Sequence, residues 1–259
     1  MTHCVTDAAE AADKLMQLLN MSNVVTGFTG AGISTECGVP DFRSPDSPWM
    51  RNKPIPYAAF VASLEARNEA WRRKFTMDDT YAGAKPGRGH AALRALSGSA
   101  KMPLLITQNI DGLHQVSGIP ESRIIELHGN GTYAKCLDCG MRHELADIRP
   151  LFEAQGYAPP CNSCGGVLKS ATISFGQAMP AAEMKQAVEA TLACDLFIAI
   201  GSSLVVFPAA GLPKAAQENG AKLVIINREA TTLDQKANLI IRADIADVLS
   251  RIHSHGEPG

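Results

Sequence analysis

Six short apolar runs, each ending in glycine or polar residues, constrain this chain most: Val24-Val25-Thr26-Gly27-Phe28, Leu104-Leu105-Ile106-Thr107, Ile124-Ile125-Glu126-Leu127, Leu196-Phe197-Ile198-Ala199-Ile200, Leu223-Val224-Ile225-Ile226 and Leu239-Ile240-Ile241. Runs this short, without polar alternation, describe strands covered on both faces. Segments of helical spacing lie between several of them, at Ala8 to Leu19, Ala91 to Leu96, Ala181 to Leu192 and Ala209 to Gln217. Strand and helix in alternation predict a doubly wound α/β fold, a parallel sheet with helices on its faces. Such sheets bind ligands beyond the carboxyl ends of their strands. The residues after the runs therefore matter most; they read GAGIS, QNID, HG, GSS and NRE.

Two stretches break the alternation. Residues 46–85 begin with Pro48, Pro54 and Pro56, continue through a helical-looking Ala58 to Phe75 with Arg72-Arg73-Lys74, and end near Lys85-Pro86-Gly87. They predict an inserted helical module. Residues 132–168 have no clear apolar period but hold Cys136-Leu-Asp-Cys139-Gly and Cys161-Asn-Ser-Cys164-Gly. Each C-x2-C turn aims two thiolates at one point, and four sulfurs complete a tetrahedral Zn²⁺ with no position left for water, which describes a structural ion. Redox dithiols and a nucleic-acid-binding ribbon are the weaker readings. Of seven cysteines, Cys4, Cys37 and Cys194 remain, read as a tail thiol and two packed thiols.

Over 259 residues, 24 Lys and Arg face 26 Asp and Glu; 19% of residues are charged and 46% hydrophobic. That composition excludes disorder, and a net charge of −2 provides no global basic field for nucleic acid or an anionic membrane. The first twenty residues carry Asp7, Glu10 and Asp13, unlike an export signal. The longest apolar stretch, Leu196 to Leu212, is broken by Gly201-Ser202-Ser203 and is shorter than the roughly 20 residues that span a bilayer. A soluble, cytoplasmic protein is expected.

After the first run comes Thr29-Gly30-Ala31-Gly32-Ile33-Ser34-Thr35. Gly30 and Gly32 would let a pyrophosphate approach backbone N–H groups, with a helix starting near Ile33 supplying its positive end. The third glycine of a dinucleotide fingerprint is missing, since its position holds Thr35. Taken alone, the loop reads equally well as an ordinary turn. Asp41-Phe42-Arg43 behind it adds an anion, an aromatic plate and a phosphate-pairing cation.

Together with Gln108-Asn109-Ile110-Asp111-Gly112-Leu113-His114, Leu127-His128-Gly129, Gly201-Ser202-Ser203-Leu204, Asn227-Arg228-Glu229 and the cysteine pairs, this series resembles the sirtuin family of NAD⁺-dependent protein lysine deacylases, of bacterial type. The match covers nearly the whole chain in the same order. It implies a Rossmann-type domain (1–45, 86–131 and 169–259), a helical module with the cofactor loop (46–85), a zinc module (132–168), and a cleft between domains. It also implies that an acyl-lysine oxygen attacks the anomeric carbon of the nicotinamide ribose, releasing nicotinamide, free lysine and O-acyl-ADP-ribose. His128 would then be the general base, a role that fits an unperturbed pKa of about 6.5. Asn109 would hold a ribose hydroxyl or water, Asp111 the nicotinamide carboxamide, and Phe42 would shield the reacting face.

The same resemblance assigns cofactor contacts to Gly30, Ala31, Gly32, Thr35, Asp41, Arg43, Gln108, Ile110, Gly201, Ser202, Ser203, Asn227, Glu229 and the backbone near Ile245. His90 and His114 lack the context of a base and are read as packing residues. An extended acyl-lysine peptide would lie along Phe175 and Gly176 on one side and Val205, Val206 and Phe207 on the other, although Val206 and Phe207 read equally as core. Gln177 stands where the family usually has glutamate, and Ser47-Pro48-Trp49-Met50 lacks the family's usual glycine. No tyrosine lies three residues before Arg72 or Arg73, which favours acetyl or a longer uncharged acyl group over a dicarboxylic one. Mono-ADP-ribosyl transfer is the alternative activity. Acyl-lysine proteins or peptides are the implied partners, and a single copy of the chain would suffice.

Overall fold

The structure is a computed structural model that describes residues 3–41 and 54–254, with side chains as far as 252. Strands β2 (Val25–Thr29), β3 (Leu104–Thr107), β4 (Ile124–Glu126), β8 (Leu196–Ile200), β9 (Lys222–Ile226) and β10 (Leu239–Ile241) coincide with the six apolar runs to within a residue. A further strand, β1 (His3–Val5), pairs parallel with β10, Cys4 opposite Ile240. The seven form one parallel sheet in the order β1-β10-β9-β8-β2-β3-β4. Cys4, expected in a tail, therefore lies on an edge strand; three residues are too few to announce a strand by pattern.

Every residue of β2 and β8 is buried, as strands covered on both faces require. One face packs on α1 (Ala8–Met21), α4 (Arg88–Gly98) and α9 (Ile245–Ser254); the other packs on α7 (Ala181–Ala193) and α8 (Leu212–Glu218). Helix α1 starts where Asp7 accepts N–H bonds from Ala9 and Glu10 at 3.0 and 2.8 Å, a cap whose loss costs about 1 kcal/mol. The helix expected near Ile33 is absent. Two 3₁₀ turns, Ala31–Ile33 and Thr35–Cys37, stand there and end at Gly38 in the left-handed region (φ 81°).

The predicted helix from Ala58 to Phe75 divides at Ser63 into α2 (Tyr57–Ala62) and α3 (Leu64–Thr80). Ser63 accepts the Ala66 N–H and so opens the second helix. The cysteine-bearing stretch forms β5 (Gly129–Cys136), β6 (Arg142–Glu144), α6 (Leu145–Gln155) and β7 (Leu168–Thr172), its strands in an antiparallel sheet ordered β6-β5-β7. This sheet starts at Gly129 and ends at Thr172, beyond the boundaries read from the sequence. Trp71 and Phe75 of α3 share one buried cluster with Ala134, Cys136, Ile148, Phe152, Cys161 and Leu168. The two insertions thus pack as a single body, with Trp71 Nε1–H donating to Leu168 O at 3.3 Å. The remaining short helix, α5 (Leu113–Val116), follows β3.

Candidate active site

From β2 the chain runs to β3 and β4 on one side of the sheet, and later to β8, β9 and β10 on the other. The order reverses between β2 and β8, where doubly wound sheets bind nucleotides. The loops after those two strands touch backbone to backbone. Gly30 N–H donates to Ile200 O and Gly32 N–H to Gly201 O, both at 2.9 Å. A Cβ on Gly32 would lie 2.7 Å from Gly201 Cα, and one on Gly30 2.7 Å from Gly201 O. This corrects the expectation for the glycine loop: those two N–H groups are committed to the neighbouring loop, and the glycines allow that contact. Gly201 itself has φ 63°.

The QNID segment closes over the β2 loop through Ser34, which sequence reasoning missed although it lies inside GAGIS. Ser34 Oγ donates to Asp111 Oδ2 at 2.7 Å, and Asn109 Nδ2 donates to Gly30 O at 3.2 Å and to Ser34 Oγ at 3.3 Å. Asp111 Oδ1 also accepts the Leu113 N–H at 2.9 Å. Gln108 Nε2 donates to Ser202 Oγ at 2.8 Å, joining the end of β3 to the loop after β8. Ile110 O accepts the Gly131 N–H at 2.7 Å.

His128 follows β4. Its Nδ1 lies 3.1 Å from Gln108 O; a carbonyl only accepts, so Nδ1 carries the proton and, in the neutral ring, Nε2 carries the lone pair. Burial pushes the imidazole below 6.5, and the bond to Gln108 opposes this in part. The following residue must be glycine, because φ is 70° and a Cβ would sit 2.1 Å from Ala171 O. His90 and His114 are both buried. His114 Nε2 lies 2.9 Å from Thr29 Oγ1, and burial, assisted by the neighbouring His90, pushes His114 down to about 3.

The remaining predicted residues border the same strand ends. Ala31 and Ser203 are half-buried, and Thr35 is exposed with its hydroxyl on Gly32 O at 3.0 Å. After β9, Asn227 Nδ2 donates to the carbonyl of exposed Glu229 at 2.9 Å. Ile245 opens α9, which contacts the Ala31–Ile33 turn. Asp41 is half-buried at the end of the described segment, while Phe42, Arg43 and the 47–50 stretch lie outside the described residues. Phe175 and Phe207 are 64% and 75% exposed and Val205 and Val206 are exposed as well, so the core reading of Val206 and Phe207 does not hold. Gly176 takes φ 81°; Gln177 Oε1 accepts the Ser174 N–H at 3.1 Å and closes the turn that presents Phe175.

The four knuckle cysteines converge. Cys136 and Cys164 Sγ are 3.5 Å apart, and Cys139 and Cys161 Sγ 3.7 Å, with all four within 4.8 Å. Four thiolates about 2.3 Å from a tetrahedral Zn²⁺ stand about 3.8 Å apart, so the set fits a structural zinc. Gly140 and Gly165 N–H close the two turns onto Cys136 O and Cys161 O at 3.0 and 2.8 Å.

A doubly wound parallel sheet with polar strand ends gathered at its switch point, and a four-cysteine module beside it, place the chain among Rossmann-like proteins carrying a zinc-binding insertion. The model of the Sir2 family matches residues 30–208. An "NAD-dependent protein deacetylase" of Rhodopseudomonas palustris is 55% identical over 241 residues, 93% of this chain and 95% of that protein. "NAD-dependent protein deacetylase 1" of Bradyrhizobium diazoefficiens is 54% identical, covering 94% and 96%. A solved structure described as "Sir2-p53 peptide-NAD+" superposes with a TM-score of 0.84 at 33% identity, over 94% and 97% of the two chains. This chain belongs to the Sir2 family. Among the described residues no helix is long and apolar enough to cross a membrane.

Proposed function

We propose that this chain is an NAD⁺-dependent protein lysine deacylase, with acetyl-lysine its preferred substrate. The observation that carries the reading is His128: a half-buried imidazole at the switch-point end of the sheet, its proton fixed on Nδ1 by Gln108 O. Held this way, Nε2 accepts a proton, the task of a general base acting on a ribose hydroxyl. NAD⁺, when bound, supplies an anomeric carbon made electrophilic by its nicotinamide leaving group. Asp111, held by Ser34 and the Leu113 N–H, would grip the carboxamide, and Asn109 would orient the ribose edge. Gln108, Ser202, Ser203, Asn227 and Glu229 would hold the remaining ribose and adenosine, and Ala31, Thr35 and Gly201 the diphosphate, with Gly30 and Gly32 letting the two loops meet behind it.

The exposed faces of Phe175 and of Val205 to Phe207 supply apolar edges for an extended acyl-lysine peptide. Cys136, Cys139, Cys161 and Cys164 would hold one zinc that staples the second sheet. That sheet and the 46–85 module would form one body, set against the domain made of 1–45, 86–131 and 169–259.

Incubation with NAD⁺ and acetyl-, longer acyl- and succinyl-lysine peptides, following nicotinamide and free lysine together, tests the reading. Equal release of both, fastest with acetyl-lysine, is expected. Nicotinamide release without free lysine on any peptide would replace the deacylase with an ADP-ribosyltransferase or an NAD⁺ hydrolase.

A further inference from the structure

Away from the four knuckle cysteines, a second group of metal-ligating atoms converges where the loop after β2 meets the start of α4. A carboxylate oxygen of Glu36, Cys37 Sγ and a ring nitrogen of His90 lie within 4.8 Å of one another. Cys37 Sγ is 3.7 Å from His90 Nδ1. A zinc ion about 2.3 Å from sulfur and about 2.0 Å from nitrogen, at a tetrahedral angle, separates the two donors by about 3.5 Å. The pair already has nearly that spacing.

Each donor is held in place by the local fold. Glu36 Oε1 accepts the Gly89 N–H at 2.9 Å, and its carboxylate reaches that position over Gly87, where a Cβ would sit 2.3 Å from the oxygen. Its second oxygen has a long ion pair, 3.6 Å to Arg88 Nε, and Arg88 is drawn by its Nη1 to Asp247 at 2.7 Å. His90 Nδ1 faces the Gly87 N–H at 3.4 Å. A backbone amide only donates, so Nδ1 carries the lone pair and the ring proton is on Nε2. The Gly87 N–H and the Cys37 thiol both approach that lone pair, which an ion would take over from the long amide contact.

An independent observation comes from behind the ring. His90 Nε2 is buried and has no hydrogen-bond partner, and neither does the buried Nδ1 of His114, whose ring centroid lies 5.0 Å from that of His90. Thr29 Oγ1 donates to Thr107 Oγ1, so His114 Nε2 donates to Thr29 and His114 Nδ1 is an acceptor. A buried donor and a buried acceptor therefore stand side by side, unmated. A packing role alone leaves both unsatisfied, an unfavourable state for buried polar groups. A histidine that binds metal through one nitrogen passes its other N–H to an acceptor, which orients the ring and strengthens the ligand. His114 Nδ1 is such an acceptor.

We propose that Glu36, Cys37 and His90 form a second metal site, for a borderline-soft divalent cation of the zinc or cobalt type, with His114 Nδ1 the neighbouring acceptor to which the His90 Nε2–H would turn once the ion is bound. Glu36 and the half-exposed Cys37 give the ion a route from solvent, and the fourth position stays open to water. Binding forms a metal–sulfur bond and breaks the Cys37 S–H bond, its proton leaving to solvent, with no change of oxidation state. A bound ion would tie the Thr35–Cys37 turn, four residues before Asp41, to the first turn of α4.

The proposal rests on metal binding and not on the deacylase reading, so its test needs no turnover. Protein carrying one zinc per chain is titrated with Co²⁺, followed by the near-ultraviolet thiolate-to-cobalt band, by proton release and by elemental analysis after gel filtration. One further ion per chain and one proton per ion are expected. Cys37→Ser should weaken that second ion more than about 100-fold, beyond the 10- to 100-fold typical of losing a ligand's hydrogen-bond partner. Glu36→Gln should weaken it to a lesser degree, and both variants should keep the first zinc and the wild-type unfolding midpoint. A wild-type protein that takes up no second ion, or a second ion that binds Cys37→Ser as tightly as wild type, would overturn the proposal.

Discussion

At the scale of single residues, histidines carry most of what can be tested. His128→Ala should lower kcat/KM by at least about 100-fold, the smaller end of a general base's contribution, while NAD⁺ binding by calorimetry stays near wild type. The wild-type pH profile follows from the direction of its shift. Burial holds His128 below 6.5, so the neutral base predominates at pH 7 and activity falls as pH drops through the depressed value. A kcat/KM profile that falls instead on the alkaline side, near pH 8, would remove the imidazole from this role. Stability has the same sign. His114 sits at about 3 when folded and about 6.5 when unfolded, so the unfolded chain binds more protons between those values. Its contribution is intact above pH 6.5 and lost at up to about 1.4 kcal/mol per pH unit as pH falls toward 3. Urea midpoints of wild type and His114→Gln, measured from pH 7 to 5, should converge as pH drops.

At the scale of elements, the contact between the loops after β2 and β8 decides the shape of the crevice. Their strands are hydrogen-bonded neighbours, Thr29 opposite Ile200, so the loops leave the sheet already touching. Gly32→Ala would place a methyl 2.7 Å from Gly201 Cα, a backbone atom that no rotamer change can clear. The expected cost is about 1–3 kcal/mol, typical of overpacking, with weaker NAD⁺ binding because Ser202 moves with its loop. A urea midpoint and NAD⁺ affinity equal to wild type would show that the loops separate freely.

At the scale of the whole molecule, α3 and the cysteine-bearing segment pack as one unit because they share a core. Trp71 is 2% exposed, stacks on Phe75 with ring centroids 5.5 Å apart, and reaches β7 through Leu168 O. Across the same junction Arg149 makes two bonds to Asp79 at 2.7 and 2.8 Å, an exposed pair that adds at most about 1 kcal/mol. The apolar cluster, including Cys136 and Cys161, therefore holds the unit together, and a zinc bound by the four cysteines would hold the cluster. Removing zinc by chelation should unfold the β6-β5-β7 sheet and expose Trp71. In a Trp49→Phe background Trp71 is the sole tryptophan, and its emission should shift to the red as zinc leaves. Unchanged emission with the zinc fully removed would show that the cluster stands without the metal.

Strands covered on both faces are mostly apolar and lack polar alternation, so β2, β3, β8, β9 and β10 stood out in the sequence as runs. Two C-x2-C pairs carry a metal-ligand spacing within the local sequence, so the knuckles stood out as well. The positions of the candidate site residues were legible because they follow such runs directly, Asn109 and Asp111 after β3, His128 after β4, and Ser202 and Ser203 after β8, while their roles came from the family resemblance. Contacts between segments far apart in sequence leave no local pattern, and these only the tertiary structure decided. Ser34 meets Asp111 across 77 positions, Trp71 reaches Leu168 across 97, and β1 pairs at an edge too short to form a run. The glycines show the division most plainly. Their spacing marked the loop after β2, but only the approach of Gly201 explains why no Cβ fits there.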